Sequence, residues 1–203
     1  VIIPPACLNY AKLQLTQLNT DADACNKISA LEFNAISSYI KSPKHALDLG
    51  CGMGRMSAFI NAKIGGNTHY ILADVSKRSS KIKYGWNPGD VYYNNLNLTS
   101  EFVEANGLVN YQTLDISDNA EWSKLSDVDL VFSFLAVGFH YPIEKSLSSL
   151  LGITTDDCVF IFGVRRGKYS ASNFSDIFRF RELVPGENNV VKEDYLIMSN
   201  SEL

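Results

Sequence analysis

The sequence predicts a doubly wound α/β fold, with a mostly parallel sheet, helices on both faces and a C-terminal antiparallel hairpin. Three observations carry this expectation. From residue 44 onward, short apolar runs alternate with amphipathic helical segments. The first three runs each have an acid at or beside the carboxyl end, namely Asp48, Asp74 and Asp115. The last two runs flank the turn-rich stretch Pro185-Gly186-Glu187-Asn188-Asn189, which reads as a hairpin loop.

The elements follow in order. Leu8, Ala11, Leu15 and Leu18 share one helical face and predict a first helix. Ile28, Leu31, Ala35 and Tyr39 predict a second over about residues 26–41, with Pro43 beyond its end. These two helices occupy residues 1–43, ahead of a core at 44–203, and one domain is expected to take in the whole chain. A strand at 45–49 turns through a glycine loop into a helix bearing Met56, Phe59, Ile60 and Ile64, which Gly65-Gly66 stops. A strand at 69–73 ends at Asp74. After a long connection, a helix with Leu98, Phe102 and Ala105 stops at Gly107. Strands at 109–114 and 128–134 follow, then a helix carrying Ile143, Leu147, Leu150 and Leu151. The run at 158–164 is nearly all apolar, as a strand buried on both faces requires. Runs at 177–183 and 190–198 form the hairpin.

Composition narrows the function. The chain has 203 residues, of which 46% are hydrophobic and 11% aromatic, enough for a sizeable core. With 18 basic and 22 acidic residues the net charge is -4, against the basic balance that phosphate binding favours, so nucleic acid is disfavoured as a partner. Cys7, Cys25, Cys51 and Cys158 form no pair with zinc-ligand spacing and no disulfide framework, so a reducing, cytoplasmic setting is expected. No apolar run reaches membrane-span length.

Residues 46–54 read Ala-Leu-Asp-Leu-Gly-Cys-Gly-Met-Gly, a strand turning sharply into a helix through alternating glycines. The loop lacks the Gly-Lys-Ser/Thr of a nucleoside triphosphate loop. It also departs from the dinucleotide fingerprint, because Ser57 rather than Gly or Ala stands a turn after Gly54. Asp74 lies 20 residues beyond Gly54, where doubly wound folds place an acid that accepts from both ribose hydroxyls. The pattern Asp-x-Gly-x-Gly-x-Gly, with Asp74 and Asp115 downstream, resembles class I S-adenosylmethionine (SAM) methyltransferases. That resemblance implies a Rossmann-like seven-stranded sheet and SAM as cofactor. It assigns Asp48, Gly50, Cys51, Gly52 and Gly54 to the amino-acid part of SAM. Asp74 and Val75 go to the ribose, Asp115 and Ile116 to the adenine, and Phe134 to the wall of the site.

In that family, the segment after the fourth strand carries the methyl-acceptor chemistry. Here it reads Ser133-Phe134-Leu135-Ala136-Val137-Gly138-Phe139-His140-Tyr141-Pro142. It lacks the Asn/Asp-Pro-Pro-Tyr/Phe of base N-methyltransferases, and residues 130–143 hold no acid that would bind Mg²⁺, so no metal is expected. His140, with Tyr141 beside it, is the catalytic candidate, since a neutral imidazole can take a proton from an acceptor hydroxyl near pH 7. Phe139 is expected to line the site. The long connection at 76–97 holds Lys77, Arg78, Lys81 and Lys83 ahead of Tyr84, Trp86, Tyr92 and Tyr93. Tyr84 and Trp86 there, and Arg165 and Arg166 with Lys168 after the fifth strand, are substrate-binding candidates. Tyr10 would be well placed if the N-terminal helices covered the cofactor.

The ten residues from Ser133 to Pro142 are also similar to loops in small bacterial methyltransferases that modify sugars or surface glycans. The expected activity is therefore metal-independent O-methylation of a small molecule or sugar. A nucleic-acid methyltransferase and a catalytically silent methyltransferase-like subunit are the alternatives, and loop spacing with Asp115 speaks against an oxidoreductase.

Overall fold

The computed structural model describes residues 1–8, 22–76, 95–117, 119–187 and 192–203. Its seven strands are β1 (His45–Leu49), β2 (His69–Asp74), β3 (Tyr111–Asp115), β4 (Val128–Ser133), β5 (Thr154–Arg165), β6 (Phe180–Val184) and β7 (Glu193–Ser199). They form one sheet in the order β3-β2-β1-β4-β5-β7-β6. The first five are parallel, and β7 runs antiparallel to both β5 and β6, which is the predicted hairpin.

The helices are α1 (Ala22–Ile36), α2 (Arg55–Ile64), α3 (Leu96–Ala105), α4 (Asn119–Trp122) and α5 (Glu144–Leu151). Strand alternation divides the core in two. Ala46, Tyr70, Leu72, Leu130, Phe132, Ile161 and Ile197 face α1, α2 and α3, where Phe102 and Val103 are fully buried. Burying a side chain the size of Phe102 contributes about 1.5–3 kcal/mol. Leu47, Ile71, Val131, Phe160, Phe162 and Leu196 face α5 with its buried Leu147 and Leu150.

Side chains lock β1 against β4. Asp129 accepts from the backbone N–H of Lys44 at 2.8 Å and of His45 at 2.9 Å, fixing the start of β1. At the other end Ser133 donates to Leu49 O at 2.6 Å and accepts from Val137 N–H at 2.9 Å. Strand order reverses between β1 and β4, so this end is the switch point where open α/β sheets bind ligands.

Several boundaries move. Helix α1 begins four residues earlier than expected and ends at Ile36, followed by a short 3-10 turn at Ser37–Tyr39. Its buried face is Cys25, Ser29, Glu32 and Ile36, while Leu31 of the predicted stripe is 37% exposed. Ala35 and Tyr39 of that stripe pack against the core, but Ser29 and Glu32 turn inward to meet Arg55, so polar residues hold two of the most buried positions. Of the predicted first-helix stripe only Leu8 lies among the described residues. Strand β3 starts two residues late and leaves Val109 exposed. Strand β4 stops at Ser133, because the backbone reverses at Leu135, whose φ is 59°. Strand β5 begins four residues early, and β6 starts three late because the chain ahead of it is folded in turns around Phe178, packed on Phe160. The short α4 between β3 and β4 has no counterpart in the sequence reading. Among the described residues no helix is long and apolar enough to cross a membrane.

Candidate functional site

The glycine loop leaves β1 at the switch point and bends back over β2. Gly50 and Cys51 donate their N–H groups to Ala73 O at 2.7 and 3.1 Å, and Gly52 donates to Asp74 Oδ2 at 2.9 Å. From α3, Thr99 Oγ1 donates to Gly52 O at 2.6 Å. Gly50 has φ +73°, and a Cβ there would fall 2.3 Å from the Cβ of Ala136 in the loop after β4. Gly54 has φ +74°, and its Cβ would fall 2.6 Å from Val103. These two glycines therefore let the β1 and β4 loops touch and let α3 pack under the loop.

The three acids sit in three different environments. Asp48 is buried beside the loop and accepts from Ser57 Oγ at 2.6 Å. Burial pushes its carboxyl up to about 7, against the Ser57 hydrogen bond. The same burial, with the charges of Asp74 and Asp48, pushes the Cys51 thiol well up. Asp74 pairs in register with Asp115 across β2 and β3. Besides holding Gly52, Asp74 accepts from Val75 N–H at 2.7 Å, and its carbonyl accepts from Ile116 N–H at 3.0 Å. A carboxylate offers about four acceptor positions, so Asp74 can hold the loop and still meet ribose hydroxyls. Asp115 accepts from Ser117 Oγ at 2.6 Å, Ser117 N–H at 2.9 Å and Ser76 N–H at 3.3 Å. The Ser117 hydroxyl bond holds its carboxyl below the usual range, against the effect of burial.

After β4, the backbone N–H groups of His140 and Tyr141 both donate to Ala136 O, closing a tight turn. His140 is buried there and Tyr141 is 38% exposed. Arg165 locks onto the turn: its Nε donates to Phe139 O at 2.9 Å and its guanidinium lies 4.9 Å from the Phe139 ring centre. Arg165 Nη2 lies 3.5 Å from His140 Nδ1, and because a guanidinium only donates, Nδ1 is the acceptor. Arg166 faces elsewhere, pairing with Asp194 at 3.1 Å and donating to Gly186 O at 2.8 Å. Phe134 packs between Phe132 and Tyr195. The candidates Tyr84 and Trp86, with Tyr10, Tyr92, Tyr93, Lys77, Arg78, Lys81 and Lys83, lie outside the described residues.

A cluster absent from the sequence reading fills the α1–α3 face beside this turn. Arg55, at the start of α2, places Nη1 2.7 Å from Glu32 Oε2 and donates to Ser29 Oγ at 2.6 Å. Glu193, the first residue of β7, accepts from Leu135 N–H at 3.1 Å through Oε1. Glu32 and Glu193 are each 1% exposed. Burial alone would lower Arg55, but the charge and hydrogen bond of Glu32, with Glu193 added, hold it above its usual value. Burial, with the charge of Glu32 added, pushes Glu193 well above the carboxylate range; Leu135 N–H and Arg55 oppose this. One sequence signal for Glu193 existed. Gly163 interrupts the apolar run of β5, and a glycine inside a strand marks a close approach. A Cβ at Gly163 would lie 1.9 Å from Glu193 Oε1.

An open cavity of about 870 Å³, lined by Asp156, Asp157, Asp176, Arg179 and Arg181 among others, lies at the opposite end of β5 from the switch point.

No protein-family model and no curated protein matches the sequence. Solved structures do match. A methyltransferase from Geobacter sulfurreducens is similar over 99% of this chain and 91% of its own, with TM-score 0.58 and 14% identity. The CurJ carbon methyltransferase is similar over 94% of this chain and 58% of its own, with TM-score 0.62 and 10% identity. Monomeric WbdD is similar over 91% of this chain and 43% of its own, with TM-score 0.52 and 16% identity. The chain thus spans about three-fifths or less of the latter two. At these identities the likeness establishes the fold: a Rossmann-like, seven-stranded sheet of the class I methyltransferase type.

Proposed function

We propose that this chain is a SAM-dependent methyltransferase that acts, without a metal, on a hydroxyl of a small molecule or sugar. One observation carries the reading: Asp74 and Asp115, paired in register at adjacent strand ends, lie side by side next to a glycine loop at the switch point of the sheet. This suits an adenosine-bearing ligand, with Asp74 beside Val75 toward the ribose and Asp115 beside Ile116 toward the base. When bound, SAM supplies an electrophilic methyl carbon on a positively charged sulfur.

The chain's own residues do the remaining work. Gly50, Cys51, Gly52 and Gly54 give the loop backbone its curvature, and buried Asp48 braces the loop through Ser57. Phe134 supplies an apolar wall, which keeps water from the reacting atoms. His140, Tyr141 and Arg165 form the rim after β4 and β5 where an acceptor would rest, and alignment there is the main catalytic demand. The lack of acids in residues 130–143 supports a metal-free route.

Calorimetric titration with S-adenosylhomocysteine tests the reading. Saturable binding with a dissociation constant in the micromolar range is expected, weakened at least tenfold in Asp74→Ala. No heat of binding at high micromolar ligand would overturn it.

A further inference from the structure

Glu193 belongs to β7, yet its carboxyl group is found at the end of β4. The strand order is β4-β5-β7, so the side chain has to cross β5 to get there. Gly163 makes the crossing possible. Its missing Cβ leaves the space that Oε1 occupies, and the same oxygen accepts the N–H of Leu135, two residues past Ser133. Leu135 in turn adjoins Ala136, which touches the glycine loop at Gly50. A carboxyl group is thereby carried from a distant strand to a buried position under the loop that follows β4, beside the switch point.

Its surroundings set its charge. Arg55 from α2 and Glu32 from α1 pair with each other behind it, while Asp194 and Tyr195 follow it on β7. Arg165, its register partner on β5, is turned away to Phe139 and His140. With Arg55 already matched by Glu32, an ionised Glu193 adds one uncompensated negative charge to a site 1% exposed. Such a charge is costly, which agrees with the upward push that burial and Glu32 give this carboxyl. A cation placed in the crevice would reverse the balance and favour the ionised form.

Resting on the SAM reading above, we propose that Glu193 is the charge partner of the donor's sulfonium and the group that takes the acceptor's proton. In the transfer, a lone pair of the acceptor oxygen forms the bond to the methyl carbon. The carbon–sulfur bond breaks, its electron pair stays on sulfur, and the hydroxyl proton passes to the Glu193 carboxylate. The positive charge of the donor and the negative charge of Glu193 vanish together, so the net charge buried in the crevice stays constant. His140 is less suited to this part, because its Nδ1 already faces the Arg165 donor.

Proton counting tests the assignment without knowledge of the acceptor. S-adenosylhomocysteine, uncharged at sulfur, and sinefungin, with a cationic amine near that position, are titrated calorimetrically in two buffers of different ionisation enthalpy, between about pH 5 and 8. Sinefungin is expected to expel about one proton more than S-adenosylhomocysteine does. Glu193→Gln, which keeps an oxygen for Leu135 N–H, is expected to bind both ligands and lose that difference. Equal proton exchange for the two ligands with the wild-type chain overturns the assignment whether or not the variant folds. So does a difference that persists in Glu193→Gln. Failure of S-adenosylhomocysteine to bind overturns the underlying SAM reading instead.

Discussion

Along the carboxyl edge of the sheet, the β1–β3 half and the β4–β7 half surround their carboxyl groups differently. In the first half, Asp74 and Asp115 accept several hydrogen bonds from groups within a few residues or in the loop that follows the neighbouring strand. Such bonds favour the charged form, and Asp115 is held below its ordinary range. In the second half, Glu193 accepts one backbone bond and sits in a buried ionic cluster drawn from α1, α2 and β7. There the neutral form is favoured. Carboxylates held by several donors suit the recognition of fixed hydroxyl and amino groups, whereas a carboxyl whose charge depends on what is placed beside it suits proton transfer.

The largest test of this contrast is Arg55→Met, which leaves Glu32 and Glu193 buried without their cation. A loss of about 3–5 kcal/mol is expected in urea unfolding. Adding Glu32→Gln should recover part of it, as a coupling in a double-mutant cycle. A loss below about 1 kcal/mol, the range of a surface pair, would mean the two halves do not differ electrostatically.

Asp48 blurs the contrast, being a β1 carboxyl that is buried like those of the other half. Because its carboxyl is pushed up to about 7, the folded chain keeps a proton that the unfolded chain releases near pH 4. Stability from this group therefore falls as pH rises from about 4 to about 7, by at most on the order of 4 kcal/mol. Thermal melts across that window should show the slope in the wild-type chain and a flatter curve in Asp48→Asn. An unchanged slope in the variant would place the titrating group elsewhere.

The smallest effect is expected at Asp115. Its lowered carboxyl contributes stability above the ordinary carboxylate range and loses it as pH falls through the depressed folded value. Asp115→Asn should therefore cost on the order of 1 kcal/mol at neutral pH and less as the acid limit is approached. A cost that grows toward low pH would contradict the assignment.

Much of the fold was legible because it is written locally. The alternation of strands and helices, the glycine loop and the acids at the ends of β2 and β3 each depend on residues close in sequence. On α1, helical periodicity counts apolar residues and so passes over Ser29 and Glu32, which are buried beside Cys25 and Ile36. Glu32, Arg55 and Glu193 were missed for the same reason. They are 23 or more residues apart in the chain, and each looks like an ordinary surface charge until the fold brings them together. Arg166 shows the reverse: its position after β5 suggested substrate contact, while its partners are Asp194 and Gly186.

Gly163 also has a consequence for how this sequence can drift. Any side chain there would collide with the acid that crosses β5, so what position 163 can hold depends on where the side chain of residue 193 lies. A lineage that acquires alanine at 163 must shorten or redirect residue 193, and one that loses the acid is released from the glycine. The two positions constrain each other, although they are 30 residues apart in the chain.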